Sequence, residues 1–234
     1  MIVEICANSF ESALTAEKGG AHRIELCTQL AFGGLTPSRQ LIKKVIAELN
    51  IPVHVLIRPR KGSFCYTEFE LNKMISTIDF CNNTGCQGVV SGVLTSENRI
   101  NISATKRLIN AAKGMDFTFH RAFDCTENAI ESLDQLIDLK IKRVLSSGQK
   151  QTAYNGLALL QEMNKLSNGK IEIMPGSGIN LENALCFKDQ GFSSIHLSAT
   201  LQKKENSTSF FEGGTESVSD LKTIEQIIEL VAIN

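Results

Sequence analysis

Short runs of β-branched and apolar residues alternate along the chain with longer stretches whose apolar positions recur at helical spacing. The strand-like runs are IVEICAN, RIELCTQ, VHVLIRP, GVVSGVL, FTFHRAF, RVLSSG, IEIMPG and SIHLSAT, and a helix-like segment follows each. In SFESALTAEKGG, Ser9 is suited to the N-cap, Glu11 to the first turn, and Gly19 and Gly20 to the stop. TPSRQLIKKVIAEL is read as starting from Thr36, with Pro37 at the first helical position. The segments from Glu68 to Cys81, Ser103 to Ala112, Glu127 to Leu139, Ala153 to Leu166, Leu181 to Lys188 and Val218 to Val231 continue the alternation. Strand–helix repetition of this kind predicts a parallel sheet covered by helices. An open sheet of that size would leave two unpaired edges, and closing it into a ring removes them. The pattern therefore predicts an α/β protein, a (β/α)8 TIM barrel built as a single domain over residues 1–234.

Side chains alternate strictly along a strand, so an aliphatic face toward the helices assigns the other face to the lumen. Val3, Ile5 and Ala7 leave Glu4 and Cys6 inside, and Ile24 and Leu26 leave Arg23, Glu25 and Cys27. The third strand sends His54, Leu56 and Arg58 inward, and the fifth sends Thr118 and His120, with Arg121 near the rim. Glu172, Met174 and Gly176 follow from the seventh, and Ser194, His196 and Ser198 from the eighth. The fourth and sixth strands have no clear parity.

Barrel interiors are normally filled by branched apolar side chains, so this lumen is unusually ionisable. It reads either as a closed structural network or as a site. As a site, Glu4, Glu25, His54, Arg58 and His120 form a catalytic set. The two carboxylates, at equivalent places on neighbouring strands, are expected to raise one pKa by like charge, while Arg58 opposes that shift and His54 shares a proton. Cys6 and Cys27 are a second pair, either two small buried hydrophobes or two thiolates suited to copper(I). Zinc would need two more ligands, for which His120 and Met174 are the candidates. PGSGIN and LSAT place Gly176, Ser177, Gly178 and Ser198 where many barrels bind phosphate, and Arg60 beside Arg58 adds positive charge for an anion.

Composition narrows the partners. Hydrophobic residues are 42% and charged residues 21% of the chain, which is enough apolar material for a large core. The formal net charge is -1 and no basic cluster exceeds a pair, which argues against nucleic acid and anionic membranes. Seven scattered cysteines without a C-x-x-C pair fit reduced thiols in a cytoplasmic setting. Neither a secretory leader nor a membrane-spanning run is expected. Cys81 and Cys86, five apart, are assigned to packing, and the polar stretch 203–220 to a lid, a subunit contact or a loop.

ICANSFESALTAEKGGAHRIELC, GGLTPS, PVHVLIRPRKGSFCY, TFHRAFD, RVLSSGQ and HLSA, in that order, resemble the CutC-type copper-homeostasis proteins across nearly the whole chain. The resemblance implies a cytosolic (β/α)8 barrel, a homo-oligomer with a dimer favoured, and copper(I) on the cysteines matching Cys6 and Cys27. The alternative function is an enzyme acting on a small anionic or phosphorylated metabolite through the lumenal Glu, His and Arg residues. Three positions depart from the family pattern: Phe32 stands where an acidic residue commonly precedes the glycine pair, and Ser63 and His22 each replace an aspartate.

Overall fold

A computed structural model describes residues 1–200 and 219–232. The stretch 203–220 lies outside the described residues except for Ser219 and Asp220. Eight parallel strands form the barrel wall: β1 (Ile2–Ala7), β2 (Arg23–Leu26), β3 (Val53–Leu56), β4 (Gly88–Ser91), β5 (Asp116–Phe119), β6 (Arg143–Ser146), β7 (Glu172–Pro175) and β8 (Ser194–Leu197). Around them lie α1 (Phe10–Lys18), α2 (Arg39–Glu48), α3 (Glu68–Thr84), α4 (Ile102–Ala111), α5 (Ala129–Asp138), α6 (Leu157–Ser167), α7 (Ala184–Asp189) and α8 (Leu221–Ala232). The strand order is β7-β6-β5-β4-β3-β2-β1-β8, and a parallel bridge between Gly176 and His196 joins the two ends. The chain is thus the (β/α)8 barrel that its periodicity predicts.

Local chemistry sets the boundaries. The Ser9 side chain accepts from the Ser12 N–H at the start of α1, and Gly19 caps its end. At α2 the cap is Ser38, whose hydroxyl accepts from the Leu41 N–H; Thr36, the expected start, instead accepts from the Arg58 N–H at 2.7 Å. Every strand stops before the end of its sequence run, because the chain leaves the sheet at the mouth. After β2, Thr28 bridges back to Leu35, and after β5 the segment Arg121–Cys125 turns into a 3-10 helix.

Parity divides the interior as the alternation predicts. Val3, Ile5, Ile24, Leu26, Val55, Ile57, Phe117, Phe119 and Ile195 pack outward with helix residues such as Ile42, Leu133, Phe187 and Ile224. Cys81 and Cys86 are buried in that same layer. A separate cluster of Cys6, Cys27, Leu56 and Val90 fills the lumen, which assigns Val90 inward and Val89 outward on β4. On β6, Val144 packs outward, while Arg143 reaches Thr118 and Glu172 inside. Among the described residues no helix is long and apolar enough to cross a membrane.

Candidate functional site at the barrel mouth

The register of the first strands orders the lumen into layers. Glu4 pairs with Arg23 and Cys6 with Glu25 across β1 and β2, so Glu4 and Glu25 differ by one inward position instead of standing level. On the other side Glu4 is level with His196, and Glu25 is level with His54 on β3.

Glu4 belongs to the lower layer and is fully buried. Its carboxylate accepts from Arg23 Nε, from His196 Nδ1 at 2.8 Å, and faces His54 Nδ1 at 3.8 Å. Burial opposes its ionisation, but the Arg23 charge and the two imidazoles outweigh that and hold it well below the usual carboxylate range. Arg23, not Arg58, is therefore the cation that answers Glu4. Burial pulls His54 down to about 4, against the Glu4 charge. Its ring lies on the backbone of Gly88, where a Cβ would come within 2.5 Å of it. Arg143 and Glu172 add a second, part-buried pair at 2.7 Å, with Ser194 donating to Glu172. Glu4 and His54 do not line the open cavity above them.

That cavity, about 500 Å³, opens at the C-terminal ends of the strands. On one wall stand Cys6, Glu25 and His196, whose donor atoms all lie within 4.8 Å of one another. Cys6 Sγ donates to Glu25 Oε1 at 3.8 Å and touches Cys27 Sγ at 3.5 Å. Cys27 sits behind Cys6 with no exposure. The contact with Cys27, then burial, pushes the Cys6 thiol well up, and the nearby carboxylates add to this. Burial also pushes Glu25 up to about 7, with the Glu4 charge assisting and His196 opposing. His196 is raised: burial works against its charge, but the hydrogen bond to Glu4 and the charges of Glu25 and Glu4 prevail.

Across the mouth stand Arg58 and His120. Arg58 donates through Nη1 to the carbonyls of Phe32 (2.7 Å) and Gly34 (2.9 Å), and its guanidinium lies 5.1 Å from the Phe64 ring centre. Phe32 thus meets Arg58 through its backbone, while its exposed ring sits under Lys61. His120 accepts from the Ala122 N–H at its Nδ1, and burial, then the Arg58 charge, pulls it down to about 3. The ring is therefore neutral with its proton on Nε2. Beside it, Asp124 accepts from Arg121 Nε at 2.8 Å, from Ser146 Oγ at 2.6 Å and from the Ser147 and Gln149 N–H groups.

Not every expected residue reaches this cavity. Arg60 points away into the loop before α3, where it pairs with Glu70 at 2.5 Å and donates to the Ser63 and Cys65 carbonyls. Ser177, Gly178 and Ser198 line the mouth, whereas Gly176 packs between Leu145 and His196 in the wall. Met174 accepts from Arg23, and His120 is on the opposite wall, so the donors nearest the thiols are Glu25 and His196. Strand parity places His196 in the lumen but does not single it out. Asp124 lies beyond any strand, so parity does not reach it; its sequence signals are its place three residues after Arg121 and at the end of the TFHRAFD motif.

The CutC family profile matches residues 1–201 of the chain. A CutC family protein of Pasteurella multocida is 44% identical over 199 residues, covering 85% of this chain and 82% of that protein. One from Glaesserella parasuis is 38% identical over 242 residues, covering all of both chains. Among solved structures, a CutC of Streptococcus agalactiae, provisionally described as a copper homeostasis protein, has a TM-score of 0.80 at 32% identity, covering 85% of this chain and 98% of that one. With its barrel, its lumenal thiol pair and this likeness along the chain, the protein belongs to the CutC family.

Proposed function

We propose that the protein serves copper homeostasis by binding copper(I) at Cys6 and Cys27, with Glu25 and His196 completing the donor set. The observation that carries this reading is the thiol pair, 3.5 Å apart and next to a carboxylate and an imidazole. Soft sulfur donors favour copper(I) among the common ions. Metal–sulfur bonds of about 2.3 Å at a tetrahedral angle put two sulfurs about 3.8 Å apart, close to the separation here, while a linear arrangement needs about 4.6 Å. The geometry thus favours a bent site that takes a third ligand. His196 is held through Nδ1 by Glu4, which leaves Nε2 for the ion and supplies the carboxylate behind a histidine that metal sites commonly use. Both thiols must lose protons on loading; Glu25, in contact with Cys6 and lining the open cavity, passes them on to solvent and is then free to ligate as the carboxylate.

All seven cysteines are free, in keeping with a reducing, cytoplasmic setting. A homo-oligomer, with a dimer favoured, belongs to the same reading. The test is titration of the metal-free protein with copper(I) against a competing chelator, anaerobically and with reductant, with zinc run in parallel. The expected result is copper affinity that falls at least about a hundredfold in the double variant Cys6→Ser, Cys27→Ser, in line with losing both soft ligands. Equal binding by the parent and the double variant would remove the proposed site.

A further inference from the structure

A bare ion does not need a cavity of about 500 Å³, and among the described residues the wall facing the thiols holds no soft donor group apart from the exposed Cys125. What that wall does hold is a prepared set of positive and hydrogen-donating groups. Arg58 is 8% exposed and bonds only to carbonyl oxygens, so among the described residues no carboxylate answers its charge. Arg121, its neighbour on the wall, is by contrast matched by Asp124. His120 is 5% exposed, and its Nε2 has no hydrogen-bond partner among the described residues.

The ring is fixed on three sides. Ala122 N–H engages Nδ1, Phe64 packs with its ring centre 4.9 Å away, and Gly92 lies beneath. A Cβ on Gly92 would come within 2.8 Å of Nδ1. Phe64 in turn touches the Arg58 guanidinium, so one phenyl ring spaces the cation from the donor. An unpaired buried N–H costs about 1–3 kcal/mol, and an unanswered buried cation costs more, so the fold retains two groups that an oxyanion would satisfy together.

The remainder of the cavity defines the rest of the ligand. Leu30, Phe32, Leu56, Leu145, Ile179 and Leu197 line it, and they suit a small apolar body. One unanswered cation matches one negative charge, which fits a carboxylate better than a phosphate dianion. We infer that the barrel mouth binds a small organic monocarboxylate, its oxygens on Arg58 and His120 Nε2–H and its apolar part against the leucine and phenylalanine side chains. This inference is independent of the metal reading, since it uses neither cysteine.

The experiment uses the full chain, metal-free and reduced, with 3-methylbutanoate, its neutral amide and inorganic phosphate as probes. Binding is followed by calorimetry and by the imidazole N–H signal of His120 in nitrogen-15 spectra. The expected result is saturable binding of the carboxylate with a downfield shift of that signal, weaker binding of phosphate, and none of the amide. His120→Phe keeps the ring packing and removes the donor, and weakens binding about tenfold or more. His120→Gln restores an N–H near the same place and recovers most of it. Every arm is metal-free, so the outcome is read separately from copper binding. Absence of saturable carboxylate binding, equal binding of the amide, tighter binding of phosphate, or unchanged affinity in a folded His120→Phe would each overturn the assignment.

Discussion

At the scale of the residue, environment has assigned different charges to identical side chains. Glu4 is ionised beneath the cavity because Arg23 and two imidazoles face it, whereas Glu25, one inward position higher, is pushed up to about 7. His196 is raised by its carboxylates, while His120 is pulled down to about 3. The sign of the stability effect at His120 follows directly. The unfolded chain takes up a proton there below about pH 6.5 and the folded chain does not until about pH 3, so acid favours unfolding across that interval. His120 should cost the fold about 1.4 kcal/mol for each unit the pH drops between about 6 and 4. In His120→Phe that contribution disappears, and urea midpoints measured across the same range should fall less steeply than in the parent. Parallel slopes would mean that the imidazole is charged in the fold. Period-two alternation made Glu4, Glu25, His54, His120 and both thiols legible as one inward set. It could not say which carboxylate would be pushed up, since that depends on register: β1 and β2 slide so that Cys6, not Glu4, faces Glu25.

At the scale of the element, the eight strands and helices were legible because most helices carry their own apolar stripe and a capping side chain, as Ser9 does for α1. The mouth was less legible. Arg60 looks like a second cation beside Arg58, but Pro59 turns the chain between them and Glu70 in the capping turn of α3 draws Arg60 outward. Asp124 is the converse case, a loop residue with no periodic signal that ties the Arg121–Cys125 turn to the end of β6. Its two oxygens accept from Arg121, Ser146, Ser147 and Gln149, all donors. In Asp124→Asn an amide NH2 would face some of these donors and the Arg121 charge would lose its partner. The expected cost is about 2–4 kcal/mol in denaturant melts. A loss under about 0.5 kcal/mol would show that the turn does not depend on this carboxylate.

At the scale of the whole molecule, the ring is unevenly sewn. Most neighbouring strands share three or four register pairs, as β6 and β7 do, whereas β7 and β8 meet through the Gly176–His196 bridge, with the Ser194–Glu172 side-chain bond beside it. Sparse pairing lowers the free energy of local opening. Amide hydrogen exchange should therefore find Gly176 and the residues of β8 less protected than those of β1 and β2. The reverse order would place the weak point elsewhere. His196 gives this seam a further meaning, because the same residue bridges to Gly176, bonds to Glu4 on β1 and belongs to the donor cluster. Whatever grips that imidazole acts as a rivet through the junction where the cylinder's ends meet. Occupancy and mechanical integrity are then one equilibrium, and a loaded barrel should outlast an empty one under heat or protease by the free energy of the ligand it holds.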